Sequence, residues 1–172
     1  NDQGLPDQVS AALLAAGLPP HRLILEITES SIMGDPERTV PTLERLRDIG
    51  VTLSLDDFGT GYSSLSYLQR LPVREVKIDR SFILGLGLSS QRHASEVLVR
   101  AIIGLGKSLD LRIVAEGVET LEVLRELQRL GCHVAQGYHV GRPVPAADIP
   151  RSVAAARRVL AAAGLEEAPT EH

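Results

Sequence analysis

Five short apolar runs recur along the chain, and each ends in a polar group. Leu23-Ile-Leu-Glu26-Ile-Thr-Glu29, Leu53-Ser-Leu-Asp56-Asp57, Val76-Lys77-Ile-Asp79 and Ile113-Val-Ala-Glu116-Gly-Val-Glu119 end in acids, and Val134-Ala-Gln136-Gly-Tyr138 ends in an amide. Near-continuous apolar runs of this length mark strands buried on both faces of a parallel sheet. The stretches between them suit helices: 6–16 before Gly17, 36–48 before Gly50, a short one at 63–69, then 90–108, 119–130 before Gly131, and 146–163 before Gly164. Glycine ends a helix readily because it accepts the left-handed conformation there. Strands alternating with helices predict an α/β fold with right-handed crossovers. Polar groups at the carboxyl ends of several parallel strands are what a (β/α) barrel site requires, although five strands do not close a barrel.

Alternate residues of a strand share a face, which tells which of these groups can converge. Glu26 lies in phase with Ile24 and Thr28, Asp56 with Ser54, Asp79 with Lys77, and Glu116 with Val114. Asp57 and Glu29 fall out of phase, but each sits where its strand ends and the chain can turn. Asp57 is therefore placed in the site and Glu29 in a supporting loop. Asp56 and Asp57 are adjacent, and two like charges about 4 Å apart at an effective dielectric near 20 repel by roughly 4 kcal/mol. A divalent cation or a proton offsets that cost. The other reading is structural: one Asp caps the following helix and the other is solvated. Gly59 and Gly61 permit a sharp turn that brings backbone close to a ligand, which most such turns do only for structural reasons.

Composition narrows the classes. The 172 residues are 44% hydrophobic, enough for one core, with a net charge of −4 and one cysteine. No secretory segment and no membrane-spanning apolar stretch stands out, so a cytoplasmic domain is expected. Basic patches interleaved with aromatic residues are lacking, which argues against a nucleic-acid polymer as partner. Cys132, alone, reads as core filler rather than as a disulfide or metal ligand. His133 and His139 read as surface or hydrogen-bonded histidines. Taken without further context, Lys77 reads as an ion-pair partner of Asp79 or Glu116. The Ala-rich run 154–163 packs on the exterior with Arg157 and Arg158 on its polar side, and 166–172 forms a disordered tail.

Glu26-Ile-Thr-Glu29, Asp56-Asp-Phe-Gly-Thr-Gly-Tyr-Ser-Ser-Leu65, Lys77-Ile-Asp79, Ala115-Glu-Gly-Val-Glu119 and Gln136-Gly-Tyr-His-Val-Gly-Arg-Pro143 resemble the EAL family of cyclic-di-GMP phosphodiesterases, in the family's order and up to about Asp148. The resemblance implies an EAL-type (β/α)8 TIM barrel truncated to about its last five βα units over 1–165, with a two-metal site at the carboxyl face. It implies that Glu26 and Asp56 hold the first metal, that Asp56 bridges to the second and that Asp57 completes the second. Glu116 becomes either a metal ligand or the base that deprotonates the attacking water. Lys77 orients that water, Gln136 hydrogen-bonds in the site, Asp79 supports the second metal, Glu29 holds the loop 58–65 with Gly59, Thr60 and Gly61, and Glu119 is structural. Hard oxygen donors without a Cys/His set favour Mg²⁺ or Mn²⁺ over zinc.

The family's Glu-Ala-Leu strand and the following asparagine strand have no counterpart in this chain. The expectation is a fragment of a longer protein, with sensory or cyclase-like domains upstream and a possible homodimer. The alternative function is a catalytically inactive cyclic-di-GMP receptor. The isolated fragment is expected to be inactive and prone to associate through open sheet edges.

Overall fold

The computed structural model describes residues 4–59 and 68–164. Five parallel strands form one sheet in sequence order: β1 Ile24–Thr28, β2 Thr52–Phe58, β3 Glu75–Ile78, β4 Arg112–Ala115 and β5 Val134–Ala135. Seven α-helices accompany them among the described residues: α1 Leu5–Ala16, α2 Glu29–Met33, α3 Pro36–Ile49, α4 Arg80–Gly87, α5 Arg92–Ser108, α6 Leu121–Leu130 and α7 Ile149–Ala162. Neighbouring strands in sequence are neighbours in the sheet, each pair spanned by a crossover, as in a run of consecutive units of a (β/α) barrel. β1 and β5 stand at the two ends of the sheet.

The apolar runs divide by alternation. Leu53 and Leu55 of β2, Val76 and Ile78 of β3, and Ile113 and Ala115 of β4 belong to one apolar core. The helices contribute to that core Leu43 and Leu46 from α3, Ile83 and Leu86 from α4, Val99 and Ile103 from α5, and Leu124 and Leu127 from α6. The alternate residues Ser54, Lys77 and Val114 are buried too, on the other side of the sheet. Burial on both faces accounts for the apolar runs of β2 to β4, whereas the end strands depart from that expectation: β1 and β5 hold no fully buried residue, and Ile24 is 45% exposed.

Local signals place the helix ends. Gly17, Gly50 and Gly131 close α1, α3 and α6 in the left-handed conformation. At the starts, Asp35, Asp79 and Thr120 each accept a hydrogen bond from a backbone N–H of the first turn of α3, α4 and α6.

Three expectations need correction. Glu29 does not lie in a loop: it is the first residue of α2, buried, after Thr28 caps the helix with its side chain. A helix that the pattern did not predict, α4, follows β3 directly, with Asp79 as its cap and Ile83 and Leu86 facing the core. The last helix begins at Ile149, the residues Ala146–Asp148 forming a separate 3-10 turn. The expected helix at 63–69 falls mostly outside the described residues, as do Thr60, Gly61 and the tail 166–172.

Candidate active site

The carboxyl halves of β1 to β4 deliver four charged side chains to one point. Parallel register puts Thr28 opposite Asp56, Glu26 opposite Ser54, and Lys77 opposite Val114. From β3, Lys77 reaches the centre of the group. Its Nζ lies 2.6 Å from Glu116 Oε1, 2.8 Å from Glu26 Oε1 and 3.3 Å from Asp56 Oδ1. The lysine side chain is only 5% exposed, whereas Glu26 is 52% exposed, so the group is sealed from below and open to solvent on the Glu26 side.

Burial works against the charge of Lys77, but hydrogen bonds to Glu116 and Glu26 and the fields of Glu116 and Asp56 outweigh it and hold its pKa well above the usual ammonium value. Lys77 therefore stays protonated over any physiological pH. It can donate hydrogen bonds and supply positive charge, but it cannot serve as a base. Its carboxylate partner among the two read from sequence is Glu116, whereas Asp79 is used elsewhere. Asp79 Oδ1 accepts from the backbone N–H of Ser81 at 2.9 Å and from the Ser81 hydroxyl, which makes it the cap of α4.

Asp56 and Asp57 stand at an irregularity of the sheet. The pairing of β2 with β3 shifts register between Leu55 and Phe58, and Asp57 adopts a left-handed backbone with φ +56°. Such a bulge turns successive side chains away from strict alternation, which lets two adjacent carboxylates belong to one strand end. The Asp57 N–H donates to Asp56 Oδ1 at 3.0 Å, fixing that carboxylate. Gly59 follows with φ +100°, where a Cβ would stand 3.0 Å from the Phe82 ring of α4. The turn after the diacid is thus specified by glycine and by α4 together.

Gln136 follows β5. Its N–H donates to Ala115 O at 2.8 Å and its carbonyl accepts from Val118 N–H at 3.0 Å, so the exposed amide is held beside the Glu116 segment. Gly137 allows that contact, since a Cβ there would lie 2.2 Å from the Val118 nitrogen. Glu119 pairs with Arg80 at 2.5 Å, tying the loop after β4 to the start of α4. Buried side-chain atoms without a hydrogen-bond partner among the described residues are Glu29 Oε2, Ser54 Oγ and His139 Nε2. Ser54 shares the face of Asp56 and Lys77, so its orphaned hydroxyl lines the floor of the charged group.

The EAL domain family model matches residues 1–143. The chain belongs to the EAL domain family. This EAL domain is 52% identical, over 151 residues, to the bifunctional diguanylate cyclase/cyclic di-GMP phosphodiesterase MucR of Pseudomonas aeruginosa, covering 88% of this chain and 22% of MucR. It is 50% identical over 143 residues to the cyclic di-GMP phosphodiesterase NbdA of the same organism, covering 83% of this chain and 18% of NbdA. The chain thus spans about a fifth of the length of these curated relatives. In fold it matches the MucR phosphodiesterase solved in complex with c-di-GMP, with a TM-score of 0.80, 51% identity, and coverage of 85% of this chain and 58% of that one. It also matches Klebsiella pneumoniae BlrP1 in a manganese/cy-diGMP complex, with a TM-score of 0.70, 34% identity, and coverage of 77% and 33% of the two chains.

Of the positions singled out in the sequence, the structure brings Glu26, Asp56, Lys77 and Glu116 of the EAL domain together and sets Gln136 beside them. It assigns Asp79 to a helix cap and Glu119 to an ion pair. Sequence reasoning missed Arg80, the partner of Glu119, and Ser81, the donor to Asp79. The signal was present in Asp79-Arg-Ser81, a capping residue followed by a hydroxyl, but the reading of Asp79 as a site residue masked it.

Proposed function

We propose that the protein carrying this EAL domain is a metal-dependent phosphodiesterase that opens one ester bond of cyclic-di-GMP to give linear pGpG. The observation that carries the reading is the meeting of Glu26, Asp56 and Glu116 on the buried Lys77 at the carboxyl ends of the strands. Two features support it besides: relatives at about 50% identity are named cyclic di-GMP phosphodiesterases, and a solved relative carries manganese with the nucleotide.

The donor set suits a divalent ion in chemistry and charge. Glu26, Asp56 and Glu116 are hard oxygen donors, as Mg²⁺ and Mn²⁺ prefer, and three carboxylates around one ammonium leave negative charge uncompensated. Among the described residues no three Asp, Glu, His or Cys side chains are grouped to hold an ion as they stand, because Lys77 occupies their focus. Glu26, Asp56 and Asp57 would hold the metals, with Asp79 in support. When bound, the metals activate water and steady the attacking and leaving oxygens.

The chain's own groups divide the remaining work. Glu116, hydrogen-bonded to Lys77, takes the proton of the attacking water, whose oxygen bonds to phosphorus as one P–O ester bond breaks. The proton that Glu116 takes is returned through solvent to the departing sugar oxygen, which leaves as a hydroxyl, so Glu116 is regenerated and one water is consumed per bond opened. Lys77, permanently charged, orients the water and offsets the growing negative charge. Gln136 donates to the phosphodiester from the β5 side.

Glu116→Gln in the full-length protein is expected to lower kcat at least about 100-fold, the scale of losing a general base, with cyclic-di-GMP still bound. Hydrolysis at the wild-type rate would refute the assignment. The central position of Lys77 also supports a second reading, a receptor that binds cyclic-di-GMP without turnover. Calorimetry then shows tight binding, with no pGpG on chromatography in Mn²⁺ or Mg²⁺. A cytoplasmic location, further domains in the same polypeptide and assembly as a homodimer belong to this proposal, in keeping with relatives several times its length.

A further inference from the structure

At the opposite end of the sheet the structure holds a cavity of about 1040 Å³. It is bounded by the first residues of β1 to β4, Ile24, Thr52, Glu75 and Arg112, and by His133 just before β5. Its charged lining is mostly basic: Arg47, Arg74, Lys107 and Arg112 against Glu75 and Asp110. Two of the acids nearby are already engaged, Glu75 lying 3.9 Å from Arg112 and Asp48, outside the cavity, 2.7 Å from Arg47. The side chains of Arg74 and Lys107 take part in none of the ion pairs found among the described residues.

Helix chemistry accounts for part of this. Arg47 and Lys107 stand in the last turns of α3 and α5, where a cation complements the carbonyl end of the helix. It does not account for Arg74 and Arg112, which sit immediately before β3 and at the start of β4. Nor does it account for His133. The Ile113 N–H, at the edge of the sheet ladder, donates to His133 Nδ1 at 2.9 Å. With Nδ1 accepting, the ring hydrogen sits on Nε2, which makes this cavity residue a donor. Four cations and a fixed imidazole donor from separate elements thus surround one space large enough for a nucleotide-sized ligand.

We propose that this amino-terminal cavity binds a polyanion bearing two or more phosphate groups, as a site separate from the carboxylate group at the other end of the strands. Cations that come from separate elements, Arg47 from α3, Lys107 from α5, Arg112 from β4 and Arg74 from the residue before β3, suit linked phosphates, with or without a nucleoside, better than a single phosphate. Guanidinium groups pair with phosphate oxygens in bidentate fashion, which favours Arg74 and Arg112 as the orienting contacts. The inference does not depend on the phosphodiesterase reading, since no residue is shared.

The test titrates inorganic pyrophosphate into the full-length protein in EDTA, which removes any metal-mediated binding at the carboxylate group. Calorimetry is combined with amide chemical shifts. The expected result is saturable binding, with shifts at Thr52, Arg74, Arg112 and Ile113 and none at Lys77 or Glu116. Arg74→Ala with Lys107→Ala, both at exposed positions, weakens it at least tenfold while far-UV circular dichroism is unchanged, and Arg151→Ala leaves it as in wild type. If the double variant fails to fold, Lys107→Gln alone still weakens binding at least threefold. Absence of saturation, equal affinity in the Lys107 and Arg151 variants, or shifts centred on Lys77 would each overturn the proposal.

Discussion

A buried lysine that touches three carboxylates sets the properties of the site at the level of single residues. Its pKa is raised in the folded state, so the stability it contributes is complete below the unfolded value near 10.4 and is lost as pH rises through the higher folded value. Chemical denaturation from pH 7 to 9.5 is accordingly expected to show no loss from this group, with the loss setting in at more alkaline pH and vanishing in Lys77→Met. That variant leaves Glu26, Asp56 and Glu116 facing one another without a cation and is expected to be destabilised by about 3 kcal/mol, the scale of breaking a buried pair. Stability equal to wild type would mean that the carboxylates relax into solvent. Cys132 is different: burial pushes its thiol pKa up, and its Sγ lies 3.3 Å from Val134 O. It is expected to react with Ellman's reagent slowly in the folded chain and at the rate of a free thiol in denaturant.

At the scale of elements, the caps and close approaches decide where the site residues point. Asp79 was legible in the sequence as an acid at a strand end, but the sequence did not say that α4 begins at once and uses it as a cap. Arg80-Ser-Phe-Ile-Leu-Gly-Leu-Gly87 contains two glycines, each costing about 1 kcal/mol in a helix, and its helicity comes from burying Ile83 and Leu86 against the core. Tertiary packing, which local pattern does not contain, overrode propensity. Replacement separates the two roles of Asp79: Asp79→Asn keeps a competent cap and is expected to unfold like wild type, whereas Asp79→Ala costs about 1 kcal/mol in thermal or denaturant unfolding. If Asp79 also supports metal, the Asn variant loses turnover while keeping stability. Gly137 was quoted in the sequence only as part of a motif, and the reason for it is steric. Gly137→Ala is expected to cost about 2 kcal/mol, as overpacking does, because the added methyl meets the Val118 backbone. An unchanged melting temperature would show that the loop after β4 yields freely.

Across the whole molecule, the parallel sheet assigns opposite tasks to its two ends. The carboxyl ends collect acids around Lys77, and the amino ends collect basic residues around a cavity. The first collection was readable in advance because alternation along each strand and the order of strands in a parallel sheet fix which side chains converge: Glu26, Asp56, Lys77 and Glu116 are two-residue phases of their own strands. The second was not, because Arg47, Lys107 and His133 come from helix ends and a strand approach whose meeting depends on crossover geometry rather than on spacing. Asp57 lay between these cases. Its phase argued against the site, and the structure puts it, exposed and with φ +56°, where the pairing of β2 with β3 shifts register.

The central claim is that the carboxylates around Lys77 serve metal-dependent opening of cyclic-di-GMP. It is tested most directly by following pGpG release from cyclic-di-GMP by the full-length protein, first stripped with EDTA and then supplied with graded Mn²⁺ or Mg²⁺. The account predicts no product without metal, recovery that saturates with added ion, and no recovery in Asp56→Asn at any concentration. Equal hydrolysis in EDTA, or full activity in Asp56→Asn, would contradict it.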